Sequence, residues 1–415
     1  MSKLKVKNVG PIKMGYSDDD GFIEFKGVTL FIGNQGSGKS TIAKLFSTLC
    51  WIEKALVRGD FTENYVVQYN RFKKKHLAYQ NLGNYLNEDS YVEYIGNAYR
   101  FIYENNQFNV FPTTQNNSNY SFPKIMYVPA ERNFVSSVDR PDLVKRLPLP
   151  LYTFMDEYEE AKQQIGDAME LPIGNVAFEY KKQNKKSYLV GKDYSVELLE
   201  ASSGFQSMVP LVLVTRHLSN VIKNKTNETR KEISREEEEK IRKAVGKMFE
   251  GKSISEEVLR VVLEKISARF KYESFINVVE EPEQNLYPLS QKMILFELLK
   301  YRNENINNKL ILTTHSPYMI NYLTLAVKAN SLIEKSPYYK GINDFKSELE
   351  KIIPFQSAIN SNDLVIYELN EEGQIVKLGN YNGLPSDENY LNQKMAETNE
   401  LFANLLEIED LCQIS

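Results

Sequence analysis

The sequence predicts an α/β fold built on a largely parallel sheet. Three observations carry this. Short apolar runs at Val28 to Ile32, Ile125 to Val128, Phe275 to Val279 and Leu310 to Leu312 read as buried strands. Segments of helical period separate them, the alternation of a parallel sheet with crossover helices. Each run ends in a polar or glycine-rich motif, which places reactive side chains at the carboxyl ends of strands, where α/β sheets bind ligands.

Composition narrows the class. The chain has 415 residues, 42% hydrophobic and 26% charged, enough for a large core without disulfide or metal support. Lys and Arg number 51 against 55 Asp and Glu, a net charge of -4. This excludes a globally basic nucleic-acid binder and leaves only a local basic groove open. Cys50 and Cys412 are the only cysteines, which excludes a disulfide scaffold, and three histidines leave little for a His-built metal centre. No segment approaches a membrane span, the longest candidate being Met208 to Val214 with Pro210 inside it. The N-terminus MSKLKVKNVG lacks a signal-peptide core. The expectation is a cytoplasmic protein with no membrane partner.

Along the chain, Leu4, Val6 and Val9 alternate with lysines as a half-exposed strand, and Phe22 to Phe25 follows a turn-rich stretch as another. Ile42, Leu45, Phe46 and Leu49 share one helical face. Residues 60 to 90 carry no firm pattern, and the basic run RFKKKH, Arg71 to His76, reads as a solvated loop. Tyr91 to Tyr103 pairs with Phe108 to Phe111 as a hairpin, with a loop at TTQNNSNYS. Residues 138 to 171 are proline-punctuated and then helical. Val176 to Tyr180 and Ser187 to Val190 form a second hairpin across QNKK. Residues 221 to 257 mix dense charges as solvated helices, followed by a capping box at Ser253 and Glu256 and an apolar stripe at Val258, Val261, Val262 and Ile266. Leu364 to Leu369 and Gln374 to Leu378 form a hairpin across EEG, and a helix from about Ser386 to Cys412 ends the chain.

Four motifs carry chemistry. GNQGSGKST, formed by Gly33, Asn34, Gln35, Gly36, Ser37, Gly38, Lys39, Ser40 and Thr41, matches a phosphate-binding loop between a buried strand and a helix. Glycines let the backbone turn its N–H groups toward phosphates, and the helix N-terminus adds positive potential. Lys39 should reach the β- and γ-phosphates, and the Ser40 hydroxyl should ligate Mg²⁺. FINVVEEPE delivers Glu280 and Glu281 at a strand end: Glu280 suits the metal side, through water, and Glu281 suits a base for the attacking water. TTHSP places His315 beyond the next strand, able to bond a γ-phosphate or the attacking water. ASSGFQS, with Ser202, Ser203 and Gly204, is a hydroxyl-rich turn before an apolar helix; taken alone it reads as an ordinary N-cap.

In this order the motifs resemble the ATPase heads of the ABC type: Walker A, a signature, Walker B and a His switch. NQGSGKST, YVPAER, ASSGFQS, EEPEQNLYP and TTHSP resemble the soluble SMC/RecF/OLD-related branch, and the resemblance covers nearly the whole chain. Within it, FIGNQGSGKSTIAKL followed by WIEKALVRGDF is most similar to the ATPase subunits of PARIS anti-phage defence systems, with the ATPases of Septu systems as close competitor. The resemblance implies an ABC-type P-loop ATPase head with an antiparallel β subdomain and a helical insertion. It would divide into a lobe over 1–135, a helical signature region over 136–272 and a C-terminal lobe over 273–415. It implies two heads paired head to tail around two ATP and Mg²⁺. Ser202, Ser203 and Gly204 of one copy would then close over the γ-phosphate of the other, with Glu281 as catalytic base and His315 as switch. Glu131 and Arg132 occupy the Q-loop position without a glutamine, so Arg132 either contacts phosphate or buttresses the fold. Glu280 stands where the family has Asp, which predicts slow hydrolysis. Ser203 replaces a signature glycine, and Tyr287 an Asp or His. No Toprim-like acidic cluster follows His315, so in a defence complex the toxic chemistry would belong to a Toprim-type nuclease, or an HNH-type one, released or activated by a phage-encoded trigger protein. The alternatives are a RecF-like DNA-repair ATPase, with nucleic-acid binding undecided, and an ATP-gated assembly module with little turnover.

Overall fold

The fold was analysed in a computed structural model, which describes residues 2–113, 120–166, 168–227, 272–336 and 345–413. The charged stretch beyond residue 227, the capping box at Ser253 and the stripe behind it lie outside these residues, as do positions 114–119 of the expected loop.

The chain begins with β1 (Lys3–Val9), β2 (Gly15–Tyr16), β3 (Ile23–Glu24) and β4 (Val28–Gly33), and then the helix α1 (Lys39–Arg58). A meander follows: β5 (Leu86–Ile95), β6 (Tyr99–Glu104) and β7 (Gln107–Pro112). Next come β8 (Pro123–Val128), α2 (Leu149–Gln163), and four short strands, β9 (Met169–Glu170), β10 (Ala177–Lys181), β11 (Lys186–Val190) and β12 (Ser195–Glu197). The last part holds α3 (Ser203–Asn227), β13 (Ser274–Glu280), α4 (Pro288–Asn303), β14 (Lys309–Thr313), α5 (Pro317–Lys335), β15 (Leu364–Leu369), β16 (Gln374–Lys377) and α6 (Tyr390–Gln413).

The central sheet has seven strands in the order β2-β16-β15-β4-β14-β13-β8. Strands β15, β4, β14, β13 and β8 are mutually parallel, so their carboxyl ends share one edge. A five-stranded sheet, β3-β1-β5-β6-β7, is antiparallel throughout and forms the expected β subdomain. A four-stranded sheet, β12-β11-β10-β9, enlarges the hairpin expected across QNKK.

The central strands read as unbroken apolar runs because both faces are covered. Along β4, Val28, Leu30 and Ile32 enter the core under α3, α4 and α5, while Phe31 enters the core shared by α1 and the antiparallel sheet. Period-two side-chain alternation thus sorts one strand between two cores. The α1 helix ends at Gly59, φ 75°, whose N–H reaches the carbonyls of Ala55 and Leu56.

Two expectations are corrected. The arm from Tyr91 to Tyr103 is two strands broken at Gly96. The buried Glu53 carboxylate of α1 accepts from the N–H groups of Ala98 and Tyr99 (2.7 and 3.1 Å) and from the Tyr94 hydroxyl, pinning that turn. The run RFKKKH is not a solvated loop: residues 72–77 form a π-helical turn with Phe72, His76 and Leu77 buried. Arg71 stacks on Tyr65, 3.9 Å from its ring centre, and the Lys73 ammonium donates to the Leu86 carbonyl. Pairing to the strands and packing of the alternate residues decide both segments, and neither leaves a local sequence signal.

Candidate nucleotide site

The shared carboxyl edge collects the motifs. Register sets Glu280 of β13 beside Thr313 of β14, and Thr313 beside Phe31 of β4, two residues before the glycine-rich loop. The loop leaves β4 at Gly33 and turns at Gly36 (φ 76°) and Gly38 (φ 106°). A Cβ at Gly38 would lie 2.7 Å from Ile12, so glycine is needed there for space as well as for conformation. Asn34, Gln35 and Gly36 are exposed, whereas Ser37, Gly38, Lys39 and Thr41 are buried and Ser40 is half-buried. The Asn34 carboxamide donates to Glu371 (2.8 Å), and its oxygen receives the Gln35 N–H (2.8 Å).

Lys39 is 4% exposed. Its ammonium donates to the carbonyls of Gly33 (2.9 Å) and Asn34 (2.7 Å) and lies 3.4 Å from Nδ1 of His315. Burial lowers its pKa to about 8 against the pull of Glu281, Glu283 and Glu280. The ammonium is thus held inside the glycine-rich loop by the loop's own carbonyls. Deprotonation above that pKa removes the charge. ATP affinity is accordingly expected to fall about tenfold per pH unit above the lysine pKa, with proton uptake on binding near it. Calorimetry in buffers of different ionisation enthalpy measures both.

Glu280 is buried at the end of β13. One carboxylate oxygen receives the Ala130 N–H (3.3 Å), and the other has no partner among the described residues. Glu281, the next residue, takes a left-handed backbone (φ 43°) fixed by its N–H on the Thr313 carbonyl (2.9 Å). This turn sends its side chain toward solvent, 3.5 Å from Nε2 of His315. The hydrogen bond to His315 keeps its carboxyl below the usual range, helped by Arg132 and Lys39, so it can accept a proton at neutral pH.

The motif pattern assigns no role to Glu283. It is half-buried, with one carboxylate oxygen enclosed and the other accepting from the Thr314 hydroxyl (2.7 Å) and the His315 N–H (2.8 Å). It therefore ties the turn carrying Glu281 to the strand end carrying His315. Burial raises its pKa. Its only local signal is that of a third acid two residues after Glu281, across a proline. Gln284, likewise without a motif role, receives the Ser207 hydroxyl (3.3 Å), joining this turn to α3.

Arg132 is fully buried, and its guanidinium donates to the carbonyls of Ser207 (3.2 Å), Glu280 (2.7 Å) and Glu281 (2.7 Å). Of the two roles open in the sequence, the structure gives it the buttress, with its donors turned to carbonyls. Burial lowers its pKa to about 10, which leaves it charged at neutral pH. Arg132→Ala would strand three buried acceptors and is expected to cost about 3–5 kcal/mol of unfolding free energy, read from the denaturant midpoint. Its neighbour Glu131 is exposed.

Ser202 and Ser203 are exposed at the start of α3, and a Cβ on Gly204 would meet the Asn285 carbonyl at 2.9 Å. The start of α3 thus packs on the segment after Glu283. Next to it, Tyr287 is 76% exposed and Leu289 59% exposed.

The edge suits Mg²⁺. Ser37 Oγ, Glu280 Oε1, Glu283 Oε2 and Thr313 Oγ1 are buried there without hydrogen-bond partners among the described residues. An all-oxygen set of this kind fits a hard cation and its waters. Ser40 and Glu280 are the residues that could face it.

The family model described as AAA ATPase domain matches residues 251–320, which contain Glu280, Glu281, Glu283 and His315. No curated protein matches the chain. Among solved structures, an SMC head bound to the C-winged helix domain of ScpA is 11% identical, with 91% of this chain and 97% of that chain covered and a TM-score of 0.37. The SMC head domain from Thermotoga maritima is 13% identical over 77% of this chain and 90% of that one, with a TM-score of 0.31. An ATP-binding cassette in a dimeric post-hydrolysis state, bound to ADP and Pi, is 11% identical over 92% and 100%, with a TM-score of 0.31. These scores are too low to carry function across. The parallel edge, the antiparallel subdomain and the glycine-rich loop between β4 and α1 define a mixed α/β fold with a phosphate-loop pattern, and the part that carries the strand-end acids and His315 matches an AAA ATPase domain.

Proposed function

We propose that the chain is the ATP-binding and ATP-hydrolysing scaffold of an anti-phage defence complex. Two heads pair head to tail, and each ATP lies between Lys39 and Ser40 of one copy and Ser202, Ser203 and Gly204 of the other. The observation that carries the pairing is the exposure of Ser202 and Ser203 at a helix start, packed on the Glu283–Tyr287 turn of their own chain, with Tyr287 projecting beside them. A signature placed this way meets phosphate from another copy.

In this reading Lys39 holds the β- and γ-phosphates. Mg²⁺, when bound with ATP, supplies charge neutralisation on the phosphate oxygens, with Ser40 as direct ligand and Glu280 acting through water. Glu281 takes the proton of the attacking water. His315, 3.5 Å from Glu281 and 3.4 Å from Lys39, reports the γ-phosphate to both. Glu283 holds the His315 backbone in place for that task.

The defence role rests on the similarity of the NQGSGKST and WIEKALVRGDF segments to PARIS-type ATPases. Among the described residues the one metal-capable group of three is Glu157, Glu160 and His217, on α2 and α3. The nuclease would then be a separate Toprim-type chain, or an HNH-type one, controlled by a phage-encoded trigger. The test is co-purification of the chain expressed with its flanking genes, read by mass spectrometry. A stoichiometric nuclease supports the proposal and distinguishes the PARIS from the Septu type. The chain alone, or with DNA, overturns it in favour of a stand-alone or RecF-like DNA-repair ATPase.

A further inference from the structure

Strands β8 and β13 are parallel neighbours, and their register sets Tyr127 beside Val278. Residues paired across parallel strands share a face of the sheet, and so do residues two apart on one strand. Tyr127, Val278 and Glu280 therefore lie on the same face. Thr313 joins them, because it is paired with Glu280 on one side and with Phe31 on the other. This is the face covered by α1, since Phe31, Val278 and Tyr127 belong to the core shared with that helix. The ammonium of Lys44 on α1 lies 6.0 Å from the centre of the Tyr127 ring. Ser40 is one turn before Lys44 on the same side of the helix. The phenol thus lies beneath the stretch of α1 that carries Ser40.

Tyr127 is 5% exposed, and its hydroxyl is buried without a hydrogen-bond partner among the described residues. A buried hydroxyl left unpartnered costs free energy that phenylalanine in the same space would avoid. Glu280 Oε1 and Thr313 Oγ1, on the same face, are buried and unpartnered as well. Burial holds the phenol well above its usual pKa, and the Glu280 carboxylate beside it raises it further. Tyr127 therefore keeps its proton and is a donor next to an acid with a vacant acceptor.

A donor at this place answers a specific need. Glu280 has one more rotatable bond than an aspartate, and the one hydrogen bond it receives is from the Ala130 N–H (3.3 Å) to its other oxygen. Carboxylates on the metal side of a site are oriented by hydrogen bonds from the residues behind them. We propose that Tyr127 is a positioning residue for Glu280: in the nucleotide-bound protein its hydroxyl donates to the carboxylate and fixes the direction in which Glu280 meets the water shell of Mg²⁺. The proposal rests on the ATPase reading above and adds to it a residue to which the order of motifs assigns no role.

The test is calorimetric titration of a non-hydrolysable ATP analogue into the unmodified chain and into Tyr127→Phe, each with Mg²⁺ and with EDTA. The unmodified chain should bind more tightly with Mg²⁺. Tyr127→Phe should reduce affinity with Mg²⁺ about tenfold, the lower end of the effect of removing a residue behind a metal ligand. Its affinity in EDTA should be unchanged. Its thermal melt should be unchanged or higher, because phenylalanine fills the same space and removes an unpartnered hydroxyl. In a Glu280→Ala chain, adding Tyr127→Phe should change affinity with Mg²⁺ by less than about twofold, because the side chain it positions is already gone. Indifference of Tyr127→Phe to Mg²⁺, an equal loss in EDTA, or an undiminished loss in the Glu280→Ala chain would overturn the proposal and leave the ATPase reading standing. Failure of the unmodified chain to bind the analogue, or binding indifferent to Mg²⁺, would overturn that reading and this inference with it.

Discussion

Lys39→Ala is expected to weaken ATP binding at least about 100-fold. Charge-assisted hydrogen bonds contribute about 1.5–3 kcal/mol each, and a lysine between the β- and γ-phosphates makes at least two, which converts to a factor of about 100 to 1,000 or more. The buried position of Lys39 sharpens the effect, because little water can replace its ammonium once it is gone. The variant also loses the bonds from Lys39 to the carbonyls of Gly33 and Asn34, so the empty loop should become looser. Calorimetric titration with Mg-ATP measures the affinity, and circular dichroism checks that the fold persists. Binding of ordinary strength in a folded variant would refute the phosphate-loop assignment.

The second large effect is on turnover. Glu281→Gln keeps the shape of the side chain and its reach to His315 but removes the proton acceptor. Phosphate release should fall about 100- to 10,000-fold, the usual contribution of a positioned general base. ATP affinity should be retained, because in the proposed reading Glu281 would act on the attacking water while Lys39 and Ser40 hold the phosphates. The variant should therefore trap ATP and hold the head pair together, visible as a nucleotide-dependent increase in mass by light scattering. Unchanged turnover would remove Glu281 from the reaction and direct attention to Glu283, the other acid beside His315. Measurable but slow release in the unmodified protein is the corresponding expectation for Glu280 in place of the shorter Asp.

Lys39 and Glu281 are legible in the sequence because their signals are local. A phosphate loop needs its glycines, its lysine and its hydroxyl within nine consecutive positions between a strand and a helix, and Gly33 to Thr41 shows all of these in order. The acidic pair Glu280 and Glu281 is legible for the same reason, as the end of an apolar run. Strand β13 itself, with β4, β8 and β14, is legible because a strand covered on both faces has an unbroken apolar sequence.

Other parts depend on residues far apart in the chain. By sequence Arg132 could face phosphate or fold. Its role is decided by the carbonyls of Ser207, Glu280 and Glu281, which lie 75 to 149 residues away along the chain. By sequence Glu283 is one more strand-end acid. Its linking role comes from Thr314 and the His315 N–H, 31 and 32 residues further on, which donate to its oxygen. The basic run at Arg71 to His76 has the composition of a solvated loop. It is a buried turn because Phe72 and Phe108 stack, their ring centres 4.0 Å apart, against the antiparallel sheet. The break at Gly96 follows in the same way from Glu53 on α1.

The sequence by itself determined the α/β class, the strands of the parallel edge and the residue types that could hold a nucleotide, because each is written in a short window of glycines, apolar runs or terminal acids. Only the tertiary structure decided which of those residues meet, that Arg132 is a buttress, and that Glu283 links the two carboxyl-end turns. The physical reason is that burial and hydrogen-bond partners are properties of pairs, and the partner of a residue in a parallel sheet comes from a distant strand.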